Sequence, residues 1–286
     1  MTALSLGAQR RTSPAWTRHL LLVPALLILL YPLAWLLSSS FKPEVEIFTN
    51  PGLLPITPTL ENYVEGWTGA GQPFWLFIVN SLVISVLATV FTVISSAFAG
   101  YAFARLDFPF RRIAFAAMLV TIMLPAQVTL IPQYLIFRDL GWIDTFLPLI
   151  VPKLLATEGF FVFLFVQFIR GLPLELDEAA RIDGCGPIRT FFQIIFPLLT
   201  PAIVTSAVFS FIWTFDDFFS QIIYLSTTDK YTVPMALRLF IDASGGQSSY
   251  GAMLAMAVVA LIPVTIVFLV LQRRLTEGIA TVGLKG

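Results

Sequence analysis

In a chain of 286 residues, 57% hydrophobic side chains against 12% charged ones and a mean hydropathy of +0.86 exclude a soluble globular domain. The formal net charge is zero at pH 7, so bulk charge points neither to nucleic acid nor to an acidic ligand. A single cysteine, Cys185, and a single histidine, His19, exclude a disulfide framework and a Cys/His metal site.

The chain therefore reads as an all-α integral membrane protein, and its apolar runs predict six transmembrane helices. Residues 1–18 form a polar tail with Arg10, Arg11 and Arg18, and residues 19–286 form the membrane domain. The first span covers Leu20 to Leu37. A cleaved signal peptide would have a shorter apolar run and a small-residue cleavage site, whereas this run is near spanning length and ends in Ser38, Ser39 and Ser40. Phe41 to Pro73, with Pro51, Pro55, Pro58 and several glutamates, reads as a soluble loop.

Phe74 to Ala104 holds no charged residue and predicts a long second span, with Asn80 near its start. A third span runs from Ile113 to about Leu130, bracketed by Pro125 and Pro132; prolines there suggest a helix packed inside a bundle. The fourth, about Phe146 to Phe168, alone carries charges, Lys153 and Glu158. Five residues apart, these are poor partners on one helix face, so Lys153 reads as snorkelling and Glu158 as either a path residue or a partner of another helix. The fifth span ends at Asp216 and Asp217, and the sixth covers about Gly251 to Leu271.

Between spans four and five lies a charged amphipathic island, residues 171–197. Pro173 suits the first turn of a helix and Gly184 its stop, which predicts a helix of about three turns, roughly 16 Å long and too short to cross a bilayer. On that helix Leu176, Ala179 and Ala180 share one face, Glu175 and Glu178 another, and Asp177 is placed to pair with Arg181. Arg189 to Phe196 alternates polar groups with Phe191, Phe192 and Ile195 and reads as an interfacial segment. Two readings of the helix stand side by side: an ordinary solvated surface helix, or a knob for a socket on a soluble partner.

Orientation follows from the basic residues. With both termini cytoplasmic, the inner segments hold Arg10, Arg11, Arg18, Arg105, Arg111, Arg112, Arg170, Arg181, Arg189, Arg273, Arg274 and Lys285, and the outer loops only Lys42, Arg138, Lys230 and Arg238. That bias places the island in the cytoplasm.

Glu178-Ala179-Ala180, then Gly184 after three residues, Ile194 after nine more, and Pro197 resemble the EAA loop of ABC importer permeases, with Phe196 where that family usually has Leu. The likeness extends over nearly the whole chain after residue 20. Glu61-Asn62-Tyr63, Asn80-Ser81-Leu82, Tyr101 to Arg105, Leu124-Pro125 and the closing glycines are similar to the carbohydrate-uptake branch, in particular the maltose-permease G-type subunit. Two positions depart from that branch: Gly100 stands where Ala is usual, and Phe215-Asp216-Asp217-Phe218 where Trp-Asn-Asp/Glu-Phe is common.

The resemblance implies a type I ABC importer permease fold in a bacterial or archaeal cytoplasmic membrane. It implies a non-catalytic subunit that pairs with a second permease, two ATPase subunits and an extracytoplasmic solute-binding protein, with ATP and Mg held by the ATPase and none in this chain. The loop would be the coupling helix, with Glu178, Ala179, Ala180, Asp183, Gly184, Ile194 and Pro197 as its site residues. Glu158, Asn80, Asp216 and Asp217 are candidates for the translocation path. The absence of a GxxxxGK[ST] sequence agrees with ATP bound elsewhere. The rival classes are an ion-coupled secondary transporter using Glu158, which would often show doubled halves, and an intramembrane enzyme, for which no HExxH or GxSxG motif is visible.

Overall fold

A computed structural model of the chain describes residues 15–241 and 248–283, which form helices joined by turns. Arg10, Arg11 and Lys285, used above for orientation, lie outside the described residues. Among those described, four segments are long and apolar enough to cross a membrane: Leu22–Ser39, Phe74–Arg105, Leu147–Arg170 and Tyr250–Gln272. Two bent helix pairs raise the number to six if each pair is one span.

The first helix, α1 (Ala15–Ser39), presents Leu22, Leu26, Leu29 and Leu33 outward and touches the rest mainly along the last helix, as expected of a lipid-facing span. The loop after it is tightly built. It holds α2 (Glu44–Thr49) and α3 (Glu61–Thr68). Lys42 is fully buried, and its ammonium donates to the carbonyls of Asn50 and Gly52 at 2.7 and 2.5 Å. Glu46 accepts from the backbone N–H groups of Ile56 and Thr57, the Thr57 hydroxyl and the Asn50 amide, and these bonds hold its carboxyl down to a pKa of about 2. Asn62 donates to the carbonyls of Ser40 and Lys42, pinning α3 to the end of α1.

The central element is α4 (Phe74–Arg105), 32 residues or roughly 48 Å long, against a hydrocarbon core of roughly 30 Å. Its length carries Tyr101 and Arg105 toward the charged island. One end packs Phe74 and Phe77 with Phe211, Phe215, Phe240 and Met256; the other packs Ala97 and Tyr101 with Phe165, Ile169, Phe191 and Ile195. Gly100 lies against Phe165, where an added Cβ would sit 2.6 Å from the Phe165 Cβ. That contact supplies a physical reason for glycine where the resembling branch has Ala.

The third span is not one straight helix. α5 (Arg111–Met123) and α6 (Ala126–Asp139) meet at a bend of 106°, at Leu124-Pro125. Pro125 forces Leu124 out of the helical region, to φ −77° and ψ 127°, so the proline taken as a bracket is the break itself. Nor is α5 packed inside this chain, since none of its residues is buried.

The fourth span is interrupted too. α7 (Leu147–Ile150) runs into a 3-10 turn at Val151–Leu155, Ala156 adopts the left-handed conformation at φ 52°, and α8 (Gly159–Arg170) begins anew. After the island come α12 (Thr200–Phe215), α13 (Phe219–Tyr224), α14 (Val233–Leu239) and α15 (Tyr250–Gly283), the island itself holding α9 to α11. The Glu44 carboxylate reaches from α2 to accept the N–H groups of Tyr250 and Gly251 at 2.9 and 2.7 Å, capping the start of α15.

Candidate functional site

The island folds as α9 (Glu175–Ile182), α10 (Pro187–Thr190), a π-helical turn at Phe191–Ile195, and α11 (Phe196–Leu198). Two turns form where about three were expected, because Pro173 and Leu174 precede the first helical residue. Three carboxylates, Glu175, Asp177 and Glu178, occupy the first turn, where they favour the positive end of the helix dipole.

The stop is as the sequence predicts. Gly184 takes φ +75°, its N–H donates to Arg181 O at 3.0 Å, and the Cys185 N–H donates to Ala180 O at 2.8 Å. This is a Schellman closure, which needs a residue free to adopt the left-handed region at the glycine.

The helix is fixed from below by a residue that the pattern did not single out. The Arg105 Nε lies 3.0 Å from Asp177 Oδ2, and another guanidinium nitrogen donates to Leu172 O at 2.7 Å. Both side chains are mostly buried, 6% and 12% exposed. Asp177 therefore pairs with the end of α4 rather than with Arg181 one turn along. The clue was present in the sequence: Arg105 is the first charge after a long neutral stretch, but its partner lies 72 positions away, beyond any helical spacing rule.

The resulting surface divides the expected site residues. Glu178, Ala179, Asp183, Gly184 and Pro197 are exposed, together with Ile182, at 87% exposure an unusual position for a large apolar side chain. Ala180 is 1% exposed and faces its own chain, and Ile194 is partly buried against the cluster around Phe191 and Ile195. Phe191 and Ile195 enter the core and anchor the segment from Arg189 to Phe196 in the bundle, while Arg189, Phe192 and Gln193 stay exposed. The π turn precedes Pro197, whose ring would crowd the carbonyl of Gln193 in a regular helix; widening the turn relieves that crowding. A cavity of about 260 Å³ opens beside α9 and the end of α4, lined by Tyr101, Arg105, Glu178, Arg181 and Cys185 among others.

The expected path residues do not gather in one place. Asn80 is buried and donates to the carbonyls of Asp229 and Tyr231 at 2.8 and 2.9 Å, so it ties α4 to the loop before α14. Glu158 pairs with the Lys153 ammonium, which the break at Ala156 brings within reach. Ser95 of α4 donates to Lys153 O at 2.6 Å and steadies that break. Asp216 is exposed at the end of α12, and Asp217 accepts from the Ser220 N–H. Beyond α12, Asp144 holds the turn of Ser226 and Thr227 and pairs with Lys230 at 2.9 Å, which keeps its carboxyl well below the usual range.

Residues 92–281, which contain the whole island, match the family described as binding-protein-dependent transport system inner membrane component. The arabinooligosaccharides transport system permease protein AraQ of Halalkalibacterium halodurans is 32% identical over 283 residues, covering 97% of this chain and 100% of the relative. The trehalose transport system permease protein SugB of Mycobacterium tuberculosis is 32% identical over 281 residues, covering 98% and 100%. A crystal structure of a bacterial ABC transporter involved in the import of the acidic polysaccharide alginate aligns with a TM-score of 0.76 at 22% identity, over 92% of this chain and 98% of that one, a likeness of fold.

Proposed function

The chain belongs to the family of binding-protein-dependent transport system inner membrane components, and on that premise we propose that it is one permease subunit of an ATP-driven importer for a sugar or oligosaccharide. The solute class is supported by relatives named for arabinooligosaccharides, diacetylchitobiose and trehalose, each matching nearly the whole chain. In this reading six spans, two of them bent, leave both termini in the cytoplasm. The chain forms half of the translocation path with a second permease. Two ATPase subunits bind inside and hold the ATP and Mg, and a binding protein delivers solute outside.

The observation that carries the reading is α9: a short, acidic, glycine-stopped helix whose outward face, Glu178, Ala179, Ile182 and Asp183, has no partner within the chain among the described residues and is held rigidly from below by Arg105. Glu178 would meet a basic residue of the ATPase groove, and closure of the ATPase dimer would favour one arrangement of the spans over another. Secondary transport through Glu158 has less support, because that carboxylate already has Lys153 as a counter-ion.

The test is co-expression with the second permease, ATPase and binding protein of the same cell, followed by solute-stimulated ATP hydrolysis for wild type and for Glu178→Ala combined with Gly184→Pro. Loss of stimulation with the ATPase's own activity intact supports coupling through α9. Uptake without any ATPase would overturn it.

A further inference from the structure

We infer that Arg105 is the positioning residue that makes α9 and the cytoplasmic end of α4 move as one body, so that motion imposed on the island is delivered to the central helix of the bundle. The inference rests on the importer reading and goes beyond it by naming the link.

Three observations carry it. Arg105 is the last residue of α4, and its guanidinium makes two separate connections, an ion pair to Asp177 within α9 and a hydrogen bond to Leu172 O in the turn that leads from α8 into α9. The guanidinium spreads its charge and its donors over three nitrogens, so it meets the carboxylate with one and the carbonyl with another, which the single ammonium of a lysine does less well. Second, the pair is mostly buried, so it is shielded from competing water and salt, and separating the charges would strand both. Third, a cavity of about 260 Å³ lined by Tyr101 and Arg105 of α4 and by Glu178 and Arg181 of α9 leaves open space beside the pair, and the apolar packing at this end of α4 runs to Phe165, Ile169, Phe191 and Ile195, outside α9. With open space on its flank, α9 could shift relative to α4 were it not tethered.

Helix α4 is in turn the element against which α8 and α12 pack, so displacement of its end reaches most of the bundle. In the importer reading the Glu178 face meets the ATPase, while Arg105, its side chain mostly buried, lies behind it. Its role is transmission.

The experiment uses the full complex with its second permease, ATPase and binding protein in proteoliposomes, and reads solute taken up per ATP hydrolysed. The variants are Arg105→Gln, Arg105→Lys, Asp177→Asn and the exchange Arg105→Asp with Asp177→Arg. We expect the complex to assemble with unchanged ATPase content and unchanged basal hydrolysis. Uptake per ATP should fall about tenfold in Arg105→Gln and Asp177→Asn, in the range of ordinary coupling between sites. Arg105→Lys should fall between these and wild type, and the exchange should recover much of the loss.

A residue of merely structural importance would lower assembly, hydrolysis and uptake together, with the ratio unchanged, and the exchange would not restore it; that result overturns the inference. Equal ratios in wild type and both single variants, in assembled complexes, overturn it as well. If either variant fails to assemble, the ratio in the other and in Arg105→Lys decides by the same criteria. Failure of the importer reading itself has a different signature, the absence of ATP-dependent uptake by wild type.

Discussion

Lys153 and Glu158 are joined as an ion pair although five residues separate them, because left-handed Ala156 ends one helical segment and α8 starts afresh at Gly159. A continuous helix would place the two side chains on different faces. The break thus supplies the pairing that an apolar surrounding demands of both charges.

Removing one member leaves the other without a counter-ion. We expect Glu158→Gln to lower stability in detergent by about 1–3 kcal/mol, measured by thermal unfolding, and Lys153→Met with Glu158→Gln to regain much of the loss. Uptake by the assembled complex should survive Glu158→Gln; its abolition, with folding intact, would revive Glu158 as a coupling-ion site.

The loop between α1 and α4 should respond to acid through Glu46. Its folded pKa of about 2 lies below the ordinary value of 4.5, so the stabilisation it confers is complete above pH 4.5 and is lost as pH falls from there toward about 2. Thermal unfolding of wild type should weaken across that window. Glu46→Gln should be the less stable protein at neutral pH and show the smaller change on acidification. Parallel curves for the two proteins would contradict the assignment.

Asn80 reads as a structural pin. Asn80→Ala deprives the carbonyls of Asp229 and Tyr231 of their donor, and we expect a loss of about 2 kcal/mol in unfolding experiments together with faster hydrogen exchange in residues 228–233. Binding of solute-loaded binding protein to the intact complex should change little if the side chain has no place in the path.

Gly100→Ala would put a methyl group 2.6 Å from the Phe165 Cβ, with backbone atoms of Phe165 and Val166 at 3.3 Å. Relief requires α4 and α8 to separate, at a cost of about 1–3 kcal/mol. A lower midpoint in thermal unfolding is the expected result, even though Ala is the usual residue of the resembling branch at this position.

Much of this architecture is legible in the sequence. The charge-free run from Phe74 marks α4 almost to the residue, and Gly184 announces the end of α9 because few other residues accept its backbone conformation. What escaped has a common physical origin. Ala156 carries no local signal for a left-handed turn, so the interruption of the fourth span was invisible. Pro125 is visible in the sequence, but a sequence does not say whether a proline bounds a helix or breaks it. Helical spacing offers Asp177 its neighbour Arg181, while the folded chain brings Arg105 from another helix. Local rules assign local partners; buried charges find whichever partner the packing brings.

Glu44 has a consequence for how the molecule is made. Its donors are the N–H groups of Tyr250 and Gly251, 206 and 207 residues downstream, so the carboxylate waits for them until nearly the whole polypeptide has left the ribosome. The cap that begins to form behind the first helix can be latched only when the last one joins the bundle. A single early carboxylate therefore reports that membrane insertion has run to its end.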